Sequence, residues 1–415
     1  MAAALVVLTA ALQGPAAAEM QDPTPSTAPT SEPAPTSEPT SEPTSDPTTA
    51  APTTAPTTAP TPSPSPSAPA AAVADYSRSV LDASPSQLAF GTRSNVQCEG
   101  GQKVSVVTWT GDDLPWVASA DASWITLSAT SGPSPAQFTV TADCDELSVG
   151  VHSAQVTIRD DVPGVDQSQT VDVRVVVNPS GPVGISTWKD GHRGAFSSST
   201  DDSYSSGWAE LKAAGTKGTF VMNGSTPPPD YPQMYAGGME LGSHLLYHLC
   251  TLVSRTSLIS HMTGSISAVA QATGSTDEVS SLVWPCGFRN VEYGVIAADY
   301  FLSARGYNWN ALEETTPTDF MDMKSFNSHE HTPAPPADLK TIVDQAQSQG
   351  KWANLVLHAE TNDDGAIAYA ATKDVWSAPI GTVVKYIHQR NRTVIDDVVE
   401  TDTAVDFSIR RLGLP

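Results

Sequence analysis

Between residues 76 and 178, apolar side chains recur at every second position in short runs, a pattern that no helix can bury on one face. The runs are Lys103-Val-Ser-Val-Val-Thr-Trp109, Gln137-Phe-Thr-Val-Thr141, Ser153-Ala-Gln-Val-Thr-Ile158 and Thr170-Val-Asp-Val-Arg-Val-Val-Val177. A period of two lines one face of a pleated strand, whereas a helix needs a period near 3.6. Turn-forming clusters, Ser131-Gly-Pro-Ser134 and Val162-Pro-Gly164, separate the runs. The pattern predicts an antiparallel, all-β sandwich over residues 76–180. From about residue 184 the pattern changes. Short apolar runs (Gly194-Ala-Phe196, Gly218-Thr-Phe-Val-Met222, Asn354-Leu-Val-Leu357) alternate with helix-like stretches at 206–213, 337–349 and 381–392. Strand–helix alternation predicts βα units around a largely parallel sheet. In barrels of such units the chemistry collects at the C-terminal ends of the strands.

The segment before the sandwich is of another kind. Residues 19–75 repeat units such as Pro-Thr-Ser-Glu and Ala-Pro-Thr-Thr, and many of the 34 prolines fall there. Such a stretch cannot bury enough apolar surface to offset its ordering entropy, so it reads as an extended linker of mucin-like composition. Residues 1–18 combine an apolar run, Ala2 to Leu12, with an Ala16-Ala-Ala18 ending, the layout of a secretory signal peptide without its usual positive start. The run is too short to span a bilayer. Export is therefore expected, with a secreted, extracellular location. In that setting the four cysteines fall two and two, and Cys98–Cys144 and Cys250–Cys286 disulfides are the simplest pairing, buried free thiols being the alternative. No C-x-x-C pair suggests a thiolate-held zinc ion.

Formal net charge is −24, from 45 acidic and 21 basic residues, with no basic cluster. This excludes a nucleic-acid footprint and disfavours anionic lipid surfaces, so neither nucleic acid nor membrane insertion is expected. Neutral or cationic partners, glycans among them, fit better, and a monomer is expected.

Two short motifs carry chemistry. Thr200-Asp-Asp-Ser203 follows the first strand of the second domain and offers two adjacent carboxylates, one suited to hold a cation and one to act as a base. About forty residues on, Glu240-Leu-Gly-Ser-His-Leu-Leu-Tyr-His-Leu249 places His244 and His248 at i and i+4. If Ser243 caps a helical turn there, both imidazoles face one way and can grip one ion. There is no Gly-rich phosphate loop and no G-x-S-x-G elbow, which disfavours nucleotide use and a serine-esterase mechanism. His329 and His331 in Ser328-His-Glu-His-Thr332 read as a surface or groove-lining polar patch rather than ligands, and Asp363 and Asp364 fit the border of a glycan groove and a solvated loop equally well.

In this order the motifs resemble those of the carbohydrate esterase family 4 polysaccharide deacetylases, the NodB-homology fold, over about residues 185–392. The resemblance implies Asp201 as catalytic base, with Asp202, His244 and His248 as ligands of a divalent metal ion, Zn²⁺ being the ion expected for this donor set. Leu355-Val-Leu-His358 matches the family's last motif. It implies Leu357 as floor of an acetate pocket and His358 as general acid, a role that suits imidazole. The family's R-x-P-x-G aligns with Val283-Trp-Pro-Cys-Gly287. The backbone N–H of Cys286 then corresponds to the oxyanion donor, but Val283 replaces the base-orienting arginine, with Arg289 as the nearest substitute. Trp284, Trp309 and Arg289 are the further candidates for substrate contact; Asn308 stands where the family has aspartate. Ala122-Ser-Trp-Ile-Thr-Leu-Ser128 and Leu147-Ser-Val-Gly-Val-His-Ser-Ala-Gln-Val156 resemble BACON-type modules, in which glycan binding is one expectation and a passive spacer the other. The expected architecture is therefore multidomain: an all-β Ig-like sandwich (76–180), then an α/β distorted (β/α) barrel of NodB-homology type (184–415). The implied activity is hydrolysis of N-acetyl groups on an N-acetylhexosamine glycan. An O-acetyl esterase of the acetylxylan type and a catalytically silent glycan binder are the alternatives. A fragment starting near Gly184 is expected to fold alone.

Overall fold

The computed structural model describes residues 6–8, 81–109, 113–307, 310–328, 336–359 and 362–413. The expected signal peptide (apart from 6–8) and the 19–75 linker lie outside the described residues, as do Asn308, Trp309, His329 and His331. A short strand β1 (Val6–Leu8) precedes the sandwich strands: β2 (Leu81–Ser84), β3 (Gln87–Arg93), β4 (Gln102–Thr108), β5 (Pro115–Ala120), β6 (Ile125–Leu127), β7 (Ser131–Pro133), β8 (Ala136–Ala142), β9 (Gly150–Asp160) and β10 (Ser168–Asn178). They form a five-stranded sheet, β3-β10-β9-β5-β7, and a four-stranded sheet, β2-β4-β8-β6. Alternating side chains from both sheets, including Leu88, Phe90, Val104, Val106, Phe138, Val156, Ile158 and Val173, meet in one buried cluster. Within it Trp116 stacks on Phe138 at 5.4 Å, and its indole N–H donates to the Pro133 carbonyl. The pairing is antiparallel with one departure from the sequence expectation. β3 runs parallel to β10, pairing Gln87 with Asp172 through to Arg93 with Asn178. Cys98 and Cys144 are disulfide-bonded beside this core.

The second part begins with β11 (Val183–Ile185), parallel to β1, and continues as β12 (Gly194–Thr200), α1 (Trp208–Ala213), β13 (Thr219–Met222), α2 (Tyr231–Ala236), β14 (Glu240–Ser243), α3 (Arg255–Thr273), β15 (Ser281–Val283), α4 (Val291–Ala298), β16 (Ser303–Arg305), β17 (Phe326–Asn327), α5 (Lys340–Gln349), β18 (Trp352–Leu357), α6 (Ala366–Ala370), β19 (Val375–Ser377), α7 (Ile380–Arg390) and a hairpin of β20 (Thr393–Glu400) with β21 (Val405–Arg411). Eight of these strands form one parallel sheet in the order β16-β15-β14-β13-β12-β18-β17, with β19 against the first half of β12. β12 and β18 are buried at every position, as central parallel strands are when helices cover both faces. The chain from 320 to 327 curls the sheet round. Its start bonds to β16 (Ala304 N to Phe320 O, 2.7 Å; Gly306 N to Met323 O, 2.8 Å), and its end pairs with β18. The two edges are thereby joined into a distorted barrel.

The sandwich and the barrel share a packed boundary and belong to one compact unit. Lys103 N donates to Thr318 O, and the Asn178 side chain bonds both the Thr393 carbonyl and the Ile395 N–H. Asn391 donates to the Ala89 carbonyl. Trp109 packs on the barrel core with the Arg255 guanidinium 4.2 Å above its ring.

Candidate functional site

The loops after β12, β14, β15 and β18 meet at the C-terminal end of the parallel sheet. Backbone bonds set their starting points: Asp201 N donates to Leu357 O, Ser203 N to Val221 O, and His244 N to Met222 O. Five non-glycine residues in these loops sit in the left-handed region: Asp202 (φ 58°), Ser203 (63°), Leu245 (61°), Cys286 (56°) and Asp364 (51°). Such conformations cost of order 1–3 kcal/mol each and persist where surrounding structure imposes them. At Asp202 and Ser203 the surroundings are explicit. The Ser203 hydroxyl donates to the Asn223 carbonyl and accepts from its N–H, while the Asn223 amide reaches Asp202 Oδ1 at 3.3 Å.

Asp202 Oδ1 lies 3.4 Å from His244 Nε2 and 3.4 Å from His248 Nε2. The three ligand atoms all lie within 4.8 Å of one another. Two donors about 2.0–2.1 Å from a tetrahedral ion stand about 3.3 Å apart, so the spacing fits a divalent cation of the zinc type. His244 is buried, and its Nδ1 sits 2.9 Å from the Val283 carbonyl. A carbonyl can only accept, so Nδ1 carries the proton and Nε2 keeps its lone pair for the cluster. When the imidazoles are protonated instead, the hydrogen bond from His244 holds the Asp202 carboxyl below the usual carboxylate range; burial opposes this, and the charges of His244, His248 and His358 add to the lowering. Three ligand atoms converge here.

The helical turn expected at 244–248 is absent. The segment leaves β14 as a loop, with left-handed Leu245 rather than an α-turn bringing His248 back beside His244. The rings meet edge to face at 5.1 Å.

No protein-family model matches the sequence, and no curated protein matches it. Among solved structures, it is similar to a family 4 carbohydrate esterase from Streptomyces lividans in complex with acetate. The identity is 19%, over 44% of this chain and 86% of that one, with a TM-score of 0.32. A catalytic domain of peptidoglycan N-acetylglucosamine deacetylase from Eubacterium rectale gives 14% identity over 48% and 93%, with a TM-score of 0.33. A family 4 acetyl xylan esterase from Clostridium thermocellum, in complex with cobalt, gives 11% over 46% and 90%, with a TM-score of 0.32.

Asp201 is nearly inaccessible, and its carboxylate is bracketed. Oδ1 accepts from the Arg305 guanidinium, and Oδ2 lies 3.9 Å from His358 Nε2. Arg305 is fully buried at the end of β16 and also donates to its neighbour's carbonyl at Gly306. The sequence reading did not single it out. Its signal was an arginine closing an otherwise strand-forming run, Ser303-Ala-Arg305, at the barrel end where chemistry collects. Arg289, the expected substitute for the missing arginine, instead pairs with Asp322 and Asp319. The two carboxylates that hold it come from the chain before β17, near in space and far in sequence.

His358 follows β18 beside Tyr307, whose ring meets it edge-on at 6.3 Å. Burial, and then the Asp201 charge, push the Tyr307 hydroxyl pKa up, so it stays protonated. Leu357 is buried, and a Cβ placed on Gly207 would come 2.9 Å from its Cδ1, while the Gly207 backbone (φ 80°) sits in the left-handed region that favours glycine. Cys286 sits on the 3-10 turn Pro285–Gly287, tied to Cys250 by a disulfide. Trp284 is a core residue rather than a groove residue, being 1% exposed with its indole N–H on the Met321 carbonyl. Asp363 accepts from the Gly365 and Ile367 N–H groups at the start of α6, and Asp364 from Leu339 N. Among the described residues, the exposed aromatic side chains are Tyr204 and Tyr247, which neighbour the Asp202 and His248 loops.

Proposed function

We propose that this chain is a metal-dependent polysaccharide deacetylase that removes N-acetyl groups from an N-acetylhexosamine glycan. One observation carries the reading: a three-donor cluster of Asp202, His244 and His248 lies beside a buried carboxylate–arginine pair and a histidine 3.9 Å from that carboxylate. A binding protein has no need of that complete set. When bound, a divalent ion would supply Lewis-acid polarisation of the acetyl carbonyl.

The residues divide the remaining work. Asp201, fixed by Arg305, accepts a proton from the attacking water. The N–H of Cys286 donates to the oxygen on which negative charge develops. His358, on the other side of Asp201, returns a proton to the leaving amine. Leu357 and Gly207 floor the space for the acetyl methyl. Tyr204 and Tyr247 present aromatic faces on which a pyranose ring can stack, and the acidic chain favours neutral or cationic glycans over anionic ones. The expected export through residues 1–18 and reach through 19–75 place this activity outside the cell. The sandwich is read as an Ig-like, BACON-like module that buttresses the barrel and holds it near polymer.

The test combines acetate release with metal content. Purified chain loaded with Zn²⁺ should release acetate from N-acetylhexosamine oligomers, hold about one ion per chain, and lose both on chelation. Release from acetylxylan alone would shift the reading to an O-acetyl esterase. Metal binding without acetate release from any glycan would overturn it.

A further inference from the structure

We infer that the Cys250–Cys286 disulfide is a positioning element of the metal site, serving as hydrogen-bond acceptor for His248. The inference rests on reading Asp202, His244 and His248 as ligands. An imidazole that holds a metal through one nitrogen needs its other N–H engaged, because that bond fixes both tautomer and ring orientation. His244 has the Val283 carbonyl for this purpose and is buried besides. His248 has neither advantage: its side chain is 38% exposed. What faces its Nδ1 is sulfur, with Cys250 Sγ at 3.4 Å and Cys286 Sγ at 3.9 Å.

The bridge decides the direction of that bond. A thiol can donate or accept, so two free cysteines would leave the His248 tautomer open. Bonded sulfurs carry no proton and only accept. Nδ1 is then the protonated nitrogen, and the lone pair on Nε2 points to Asp202, 3.4 Å away. The same bridge joins the loop after β14 to the turn carrying the Cys286 N–H, across 36 residues of sequence. One covalent link thus holds an exposed ligand and the oxyanion donor in register.

The test reads the tautomer and the metal separately. In metal-free, ¹⁵N-labelled full chain at about pH 9, where imidazoles are neutral, both His244 and His248 should show the Nδ1–H tautomer. In Cys250→Ala/Cys286→Ala, His248 should move toward Nε2–H while His244, the internal control, stays unchanged. Zinc affinity, measured by chelator competition, should fall about 10- to 100-fold. Should the alanine pair not fold, Cys250→Val/Cys286→Val removes the acceptor and comes closer to cystine in volume. An unchanged His248 tautomer with unchanged zinc affinity overturns the inference. If neither wild type nor variant binds zinc, the ligand reading fails; a His248 tautomer shift would still show that the sulfurs act on that ring.

Discussion

Asp201 shows 4% of its side chain to solvent and Asp202 shows 28%, although they are neighbours in sequence. Asp201 faces a buried guanidinium and cannot swing toward the histidines without leaving that charge unpaired. Asp202, turned by its left-handed backbone, has an oxygen at equal distance from both imidazoles. The roles should therefore separate on mutation. Asp201→Asn is expected to keep the metal and lose about 10²- to 10⁴-fold in turnover, the usual worth of acid–base assistance. Asp202→Asn should weaken metal binding first, with activity partly restored by excess ion. Metal titration beside steady-state kinetics checks both; the reverse pattern would exchange the assignments. Arg305 adds a third case. Arg305→Met strands Asp201 in the interior, and breaking a buried pair typically costs about 3–5 kcal/mol, so thermal unfolding should drop markedly. Arg305→Lys keeps the charge but not the fork. Its expected signature is a kcat loss of about 10²-fold from misplacing the base, with metal content intact. Unchanged turnover in that variant would remove Arg305 from the site.

The loop from β14 to α3 carries the second half of the ligand set, and β14 must lie close to its neighbour for that loop to start correctly. Gly242 makes this possible: a Cβ there would come 2.8 Å from the Ser281 carbonyl and 3.0 Å from Val221. Gly242→Ala should push β14 from β15, destabilise by about 1–3 kcal/mol as overpacking does, and weaken zinc binding two residues downstream. Differential scanning calorimetry with chelator competition reads both effects, and a neutral outcome would show that the sheet yields there freely. The sequence conveyed β12, β13 and β18 as short apolar runs, and α5 and α7 because their apolar positions keep a helical period. It did not announce α3, whose Arg-Thr-Ser-Leu-Ile-Ser-His-Met-Thr-Gly start mixes hydroxyl groups and glycine through both faces, although Ser254 caps it by accepting from Ser257 N. The site residues were legible as far as each was a motif: Asp201, Asp202, His244, His248, Leu357 and His358 converge. Arg305 was not, because its partner lies 104 residues away and only the curl of the sheet brings β16 over β12. The same curl placed Arg289 elsewhere, against acids near in space but unmarked in sequence.

At the scale of the whole chain, the boundary between sandwich and barrel is part of one packed unit, which alters what a truncation should do. A fragment starting at 184 would expose the barrel surface under Trp109 and leave the carbonyls and amides bonded to Asn178 and Lys103 without partners. We expect that fragment to unfold at a lower temperature than the full chain, and equal midpoints by circular dichroism would mean the boundary adds nothing. The same boundary contains a cavity of about 320 Å³ bordered by Lys103, Asp319, Phe320, His388, Asn391 and Arg392, and there the chain has a pH-sensitive group. His388 stacks on Phe320 at 4.5 Å, with Arg392 Nη1 3.2 Å from its Nδ1. An arginine can only donate, so Nδ1 must accept and the ring is neutral. Burial, reinforced by the Arg392 and Arg390 charges, lowers its pKa from 6.5 to about 4. The unfolded chain therefore takes up this proton first. Stability from this residue is fully present above about pH 6.5, falls as pH drops toward 4, and is lost below that, by at most about 3 kcal/mol. His388→Gln can still accept from Arg392 but cannot titrate. Unfolding midpoints for wild type and variant should run together above about pH 6.5 and diverge below it, the wild type falling faster. Parallel curves across that window would show that His388 takes up its proton as readily in the folded chain as in the unfolded one, and that the aromatic–arginine packing at the boundary tolerates the added charge.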